Sequence, residues 1–252
     1  MDEEIEATLR SLHARNLAGL FAENSGDAKN KILDLIPTDA LVGIGDSTTV
    51  AQIGVKDELR RRGTRVLDGF DRKTTYTSLK DYEELHNVPV RESTMCDVFL
   101  TGTNAVTQDG RLVNVDAAGN RVAGMFWGHP VTIIAVGRNK IVRNLDEAFH
   151  RVRKVTAPNH IRIRAMELGR RRVETPCVIT GDCSDCKTKD RMCNVFTIIE
   201  GKPLRTQIKV VIVNEDLGLG WDESWPRERT AKIIENYKKF VWIPPHALPS
   251  GR

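Results

Sequence analysis

The sequence predicts an α/β fold: a mainly parallel sheet flanked by helices, with N-terminal helices and a small cysteine-rich lobe. Short apolar runs of strand length alternate with stretches of helical period along most of the chain. One such run passes through a glycine loop directly into a helix, the opening half of a βαβ unit. The length, 252 residues with 40% hydrophobic and 29% charged side chains, suffices to bury a full core without disulfide staples.

In chain order, residues 3–22 carry Ile5, Leu9, Leu12, Leu17 and Leu20 at helical spacing, which predicts an amphipathic helix stopping at Asn24-Ser25-Gly26. A second helix, capped by Asp27, runs through Ile32, Leu33 and Ile36 to Pro37 and completes a helical segment 1–37. Ala40–Ile44 reads as a buried strand, followed by the loop Gly45–Thr49 and a helix Val50–Arg62. Thr64–Leu67 reads as a strand, the region Tyr76–His86 as a helix, and Asp97–Thr101 as a strand. Leu112–Val115 and Val131–Val136 are extended and flank the turn Asp116–Asn120. Asp146–Val155 is helical, and Pro158 suits the first position of one more helix through Glu167. Val195–Glu200 and Ile208–Val213 are strand-like. These elements make one domain over 1–218, with the cysteine segment 176–194 inside it. A C-terminal extension, 219–252, follows, loose from Pro244 onward.

Composition narrows the function classes. No apolar stretch approaches the ~18 residues of a membrane span. The acidic start Met1-Asp2-Glu3-Glu4 is unlike a signal peptide, so the chain reads as cytoplasmic. The net charge of +4 is far from a nucleic-acid stripe, and the arginines 162, 164, 170, 171 and 172 lack interleaved aromatics, so small anionic ligands rank above nucleic acid. A symmetric homodimer is the default assembly.

Four of five cysteines fall in the pattern Cys177-x5-Cys183-x2-Cys186-x6-Cys193. Clustered thiols in such a chain point to metal rather than disulfides. Cys183-x2-Cys186 presents two thiolates from one turn, and Lys187, Lys189 and Arg191 offset their charge. An iron-sulfur cluster, [4Fe-4S], and zinc both suit all-sulfur ligation, and the cluster is preferred. Cys96 reads as a buried core residue, and His129 and His160 as packing or surface residues.

Two further constellations point to an anion. In Gly43-Ile44-Gly45-Asp46-Ser47-Thr48-Thr49, glycines permit close backbone approach and amides and hydroxyls follow, yet neither a P-loop nor a dinucleotide fingerprint is present. Asn104, Asp116, Asn120 and Arg121 crowd the expected carboxyl ends of strands, where open parallel sheets bind ligands, and Arg121 would suit a carboxylate bidentately. Lys140, after a strand, could reach the same anion.

Taken in order, Gly43–Thr49, Asp97–Gly110, Val113–Asp116 with Gly119–Ala123, and Gly137–Val142 resemble the LUD-domain (lactate utilisation) family. Pro176-Cys177, Gly181–Cys186 and Arg191–Asn194 look like its four-cysteine branch. The resemblance spans about residues 5 to 218 and implies a NagB/RpiA/CoA-transferase-like fold. Carried over by position, it implies that Gly43, Gly45, Asp46, Ser47 and Thr48 hold a ligand phosphate or carboxylate and that Asp97 is catalytic. It further implies a redox enzyme or subunit of lactate-utilisation type working with an iron-sulfur partner protein. The short lactate-operon subunit typically lacks this cysteine set. The alternative is a non-catalytic, zinc-stabilised protein that binds a ligand or docks a partner.

Overall fold

The computed structural model describes residues 2–168 and 173–244. Arg170–Arg172 and most of the proline-rich tail lie outside them. Among the described residues ten strands form two sheets: β1 (Ala18–Ala22), β2 (Leu41–Ile44), β3 (Arg65–Leu67), β4 (Val98–Gly102), β5 (Ala105–Thr107), β6 (Leu112–Asp116), β7 (Val131–Gly137), β8 (Ile141–Val142), β9 (Val195–Ile199) and β10 (Gln207–Val213). The main sheet is wholly parallel in the order β1-β10-β7-β4-β2-β3. The second, β8-β5-β6-β9, is mixed: β6 pairs antiparallel with β5 and β9, and β5 parallel with β8.

Helices cover both faces of the main sheet, so its strands are apolar on both sides. Along β7, Ile133 and Ala135 enter one core with Val42, Leu100 and Val211, whereas Ile134 and Val136 enter the other with Leu12, Val106 and Val210. The second face is closed by the helix Asn120–Phe126, where Gly124 lies directly over the Phe99 ring, nearer than a Cβ could sit. Gly124→Ala therefore overpacks this face by about 1–3 kcal/mol, more than the ~1 kcal/mol alanine gains over glycine in a helix. A net loss in urea unfolding free energy is the expected result; equal or higher stability would show that the face can yield.

The N-terminal segment differs from the expected single helix. The helix Glu3–Ala14 ends, Asn16 takes a left-handed φ of 58°, and Leu20 belongs to β1, pairing with Val211. The next helix, Ser25–Asp34, is capped by Asn24, which accepts from the Asp27 amide, and not by Asp27. The expected helix over 50–62 is two helices, Thr48–Ile53 and Val55–Arg61, broken where Gly54 takes φ 73°. Pro158 lies inside a helical run and does not start one: Leu145–Arg151 widens to a π turn, Val152–Thr156, before Ala157–Ile161, and again over Arg162–Leu168. Proline lacks the N–H of the usual ladder and crowds the preceding turn, which a wider π turn relieves. Pro89 repeats this arrangement, with the π turn Glu83–Asn87 before Val88–Glu92. Among the described residues no helix is long and apolar enough to cross a membrane.

Candidate functional site

A cavity of about 600 Å³ opens at the carboxyl ends of β2, β4 and β6. The parallel register aligns these ends, because Ile44 pairs with Leu100 and Gly102 with Ala135. Asp46, Ser47 and Thr48 line it from the loop after β2, Asn104 from the loop after β4, and Asp116, Asn120 and Arg121 from the turn after β6. Lys140 completes the set. Three expected residues are elsewhere. Asp97 is exposed at the amino end of β4, where its carboxylate accepts from the Leu41 amide. Gly43 and Gly45 do not border the cavity: a Cβ would strike the Ser93 carbonyl at Gly43 and Thr101 at Gly45, whose amide donates to Leu100. Their smallness serves strand packing. Cys96 packs beside Gly43, and burial pushes its thiol up to about 11.

Arg121 differs from the open carboxylate clamp that the sequence suggests. Its Nη1 donates to the Gly102 carbonyl and Asn114 Oδ1, both at 3.0 Å, and its Nη2 to Asn104 Oδ1 at 3.0 Å and the Val115 carbonyl at 2.7 Å. Nε faces Asp116 Oδ2 at 3.6 Å. The four terminal N–H bonds are thus spent inside the protein, joining the end of β4 to β6. Asp116 is occupied too, accepting from the amides of Ala118, Gly119 and Val122. Asn104 Oδ1 takes a second bond from the Val115 amide, which leaves its Nδ2 for a ligand.

Lys140 supplies the charge. It is buried, and its Nζ donates to Thr49 Oγ1 at 2.9 Å and the Thr103 carbonyl at 3.1 Å. No carboxylate pairs with it among the described residues. Burial, then repulsion by Arg121, pulls its pKa down to about 7. A bound anion would restore the missing counter-charge.

A second group joins Asp46, which the sequence named, to His160, Arg164 and Tyr237, which sequence reasoning did not place at the site. Asp46, whose pKa burial raises against the opposing charge of Arg164, meets that guanidinium at 3.3 Å. His160 Nδ1 shares a 2.6 Å hydrogen bond with the Tyr237 hydroxyl, and burial followed by Arg164 and Arg121 lowers the imidazole to about 3, so it is neutral. Burial raises the Tyr237 phenol, opposed by its hydrogen bond with Thr48. His160 and Arg164 come from the π-widened run and Tyr237 from the helix Arg227–Phe240, within the expected C-terminal extension 219–252. The one available signal was the i, i+4 spacing of His160 and Arg164.

The four cysteines border one small apolar cavity with Met192 and Phe196. Cys177 opens the short helix Cys177–Thr180, which Gly181 ends at φ 78°. Burial first, then the charges of Cys186, Cys193 and Cys183, raise the Cys177 thiol, so the other three lie within electrostatic reach of Cys177. Arg191 acts on Cys193 and Cys186, and Lys154 on Cys183, as counter-charges. Among the described residues no three His, Cys, Asp or Glu side chains already stand in metal-holding geometry. As a donor set, four soft thiols beside two cations fit an iron-sulfur cluster or zinc.

No curated protein matches the chain. Its structure is similar to the crystal structure of a DUF162 family protein from Deinococcus radiodurans, 14% identical, covering 84% of this chain and 96% of that one at a TM-score of 0.46. The LUD domain matches residues 5–213, from the first helix to the last strand of the sheet. The chain belongs to the LUD-domain family.

Proposed function

We propose that the chain is a redox enzyme, or the subunit of one, of lactate-utilisation type: it binds an organic carboxylate or phosphorylated anion in the cavity and carries an iron-sulfur cluster on Cys177, Cys183, Cys186 and Cys193. The observation that carries the reading is a shared wall. Met192, Ala157 and Ile161 border both the large cavity and the cysteine cavity. The two cavities are therefore neighbours that have these side chains in common. An iron-sulfur cluster supplies one-electron transfer when bound.

The chain's own residues do the rest. Protonated Lys140 meets the anionic group, and Asn104 Nδ2, Asn120 and the hydroxyls of Ser47 and Thr48 orient it. Asp46, with its raised pKa, takes or returns a proton at the ligand. Arg121 and Asp116 act as positioning residues by fixing Asn104 and the turn that carries Asn120. Asp97 has no part in this reading, since it lies at the other end of the sheet.

Absorption spectroscopy with metal analysis on protein purified without oxygen tests the cluster. Brown protein with about four irons per chain is expected. Colourless protein with one zinc would overturn the redox assignment and leave an anion-binding protein with a zinc-stapled lobe.

A further inference from the structure

We infer that the anion this cavity takes is joined to a flat ring, as in an aromatic 2-hydroxy acid or a nucleoside phosphate, and is not a bare three-carbon acid or inorganic phosphate. The inference rests on the anion-site reading above and specifies its ligand class. Size is the first argument. At roughly 30 Å³ per water, 600 Å³ holds on the order of twenty waters, the range of sites that enclose drug-sized molecules. A three-carbon acid on Lys140 would displace a few of them and leave the rest against apolar walls.

The distribution of side chains is the second argument. Lys140, Asn104 and Asn120 gather where β4 and β6 end, whereas Phe70, Tyr82, His86 and Trp242 form another wall of the same cavity. The aromatic wall is a built assembly. His86 stacks on Tyr82 at 4.7 Å and on Trp242 at 4.8 Å with the latter planes 1° apart, and Phe70 meets His86 and Trp242 edge-on at 5.2 and 5.4 Å. These rings come from the loop after β3, the helix Leu79–Tyr82 with the π turn Glu83–Asn87 that continues it, and the segment after the helix Arg227–Phe240. The region 70–86 and the distant Trp242 thus converge on one wall. Arg164 lies 4.6 Å over the Trp242 ring while reaching Asp46, which ties the aromatic wall to the polar one. Burial holds His86 below its usual imidazole range, so this wall stays uncharged at neutral pH. A ligand with charge at one end and a flat apolar body at the other satisfies both walls at once.

Two matched probe pairs isolate the ring: lactate against 3-phenyllactate, and ribose 5-phosphate against AMP, titrated calorimetrically into the full-length holoprotein. Burying a ring is worth about 10- to 100-fold in affinity. That gain is expected in one pair or both, and the pair showing it distinguishes an aromatic acid from a nucleotide. It should shrink to within about threefold in Tyr82→Ala, at the half-buried edge of the wall. Equal affinities within both pairs of the wild-type protein would overturn the inference while leaving the anion site standing. Failure of all four probes to bind, or binding indifferent to Lys140→Met, would instead remove the anion site and the inference with it.

Discussion

Lys140→Met is expected to weaken binding of a carboxylate probe such as 3-phenyllactate by about 100-fold or more while making the protein more stable. Both effects have one origin. The wild-type ammonium is buried without a carboxylate, so its pKa falls from 10.5 to about 7. Between these values the unfolded chain holds the proton and the folded one does not, so stability rises with pH from about 7 to 10.5, and the full penalty is present below 7. Methionine removes the penalty at similar volume. We expect a gain of about 1–4 kcal/mol in urea unfolding at pH 6.5, fading as pH approaches 10.5. Ligand affinity follows the opposite course in the wild type, because the anion binds the protonated amine: it should fall with rising pH above about 7. A methionine variant that binds normally, or is destabilised at pH 6.5, would show that Lys140 is a structural residue.

Arg121→Ala should be the most damaging single change at the site, costing about 3–5 kcal/mol. It strands the Gly102 and Val115 carbonyls and Asn114 Oδ1, and leaves Asp116 without its cation. Asn114 has no slack to absorb this, since its Nδ2 is already buried without a partner. Arg121→Lys keeps the charge but not the fork, and three donors on one nitrogen cannot reach four acceptors spread across two strand ends. Its unfolding midpoint should fall between wild type and alanine. If instead Arg121→Ala unfolds normally and loses only ligand affinity, the guanidinium is a direct ligand contact and not the staple described above.

The parallel sheet was legible because burial on both faces leaves unbroken apolar runs such as Val131–Val136. β1 was not, because Leu17 and Leu20 satisfy a helical period from Ile5 onward, and only Asn16 in a left-handed conformation separates helix from strand. The short β5 and β8 escaped for want of length: three and two residues carry no periodicity. At the site, residue types and strand ends pointed to Ser47, Asn104, Asn120 and Lys140, which all line the one cavity. Roles were harder. Nothing in the order of residues says that the Arg121 donors are consumed by two carbonyls and two carboxamides, or that Gly45 is small for the sake of Thr101. His86, Tyr237 and Trp242 were invisible because tertiary contacts between distant segments make them a group.

β10 lies between β1 and β7 in the sheet, so a strand from residues 207–213 joins β1 to the centre. During synthesis β1 must wait, unpaired, until residues 207–213 emerge, nearly two hundred positions later. Meanwhile the apolar edge of β7 is open, the condition in which nascent chains pair wrongly or aggregate. The cavity waits longer still, because Tyr237 and Trp242 are made after β10. A chain cut after residue 220 would therefore hold every strand of the main sheet but lack Tyr237 and Trp242 from the cavity wall, so the residues beyond β10 complete the cavity and not the sheet.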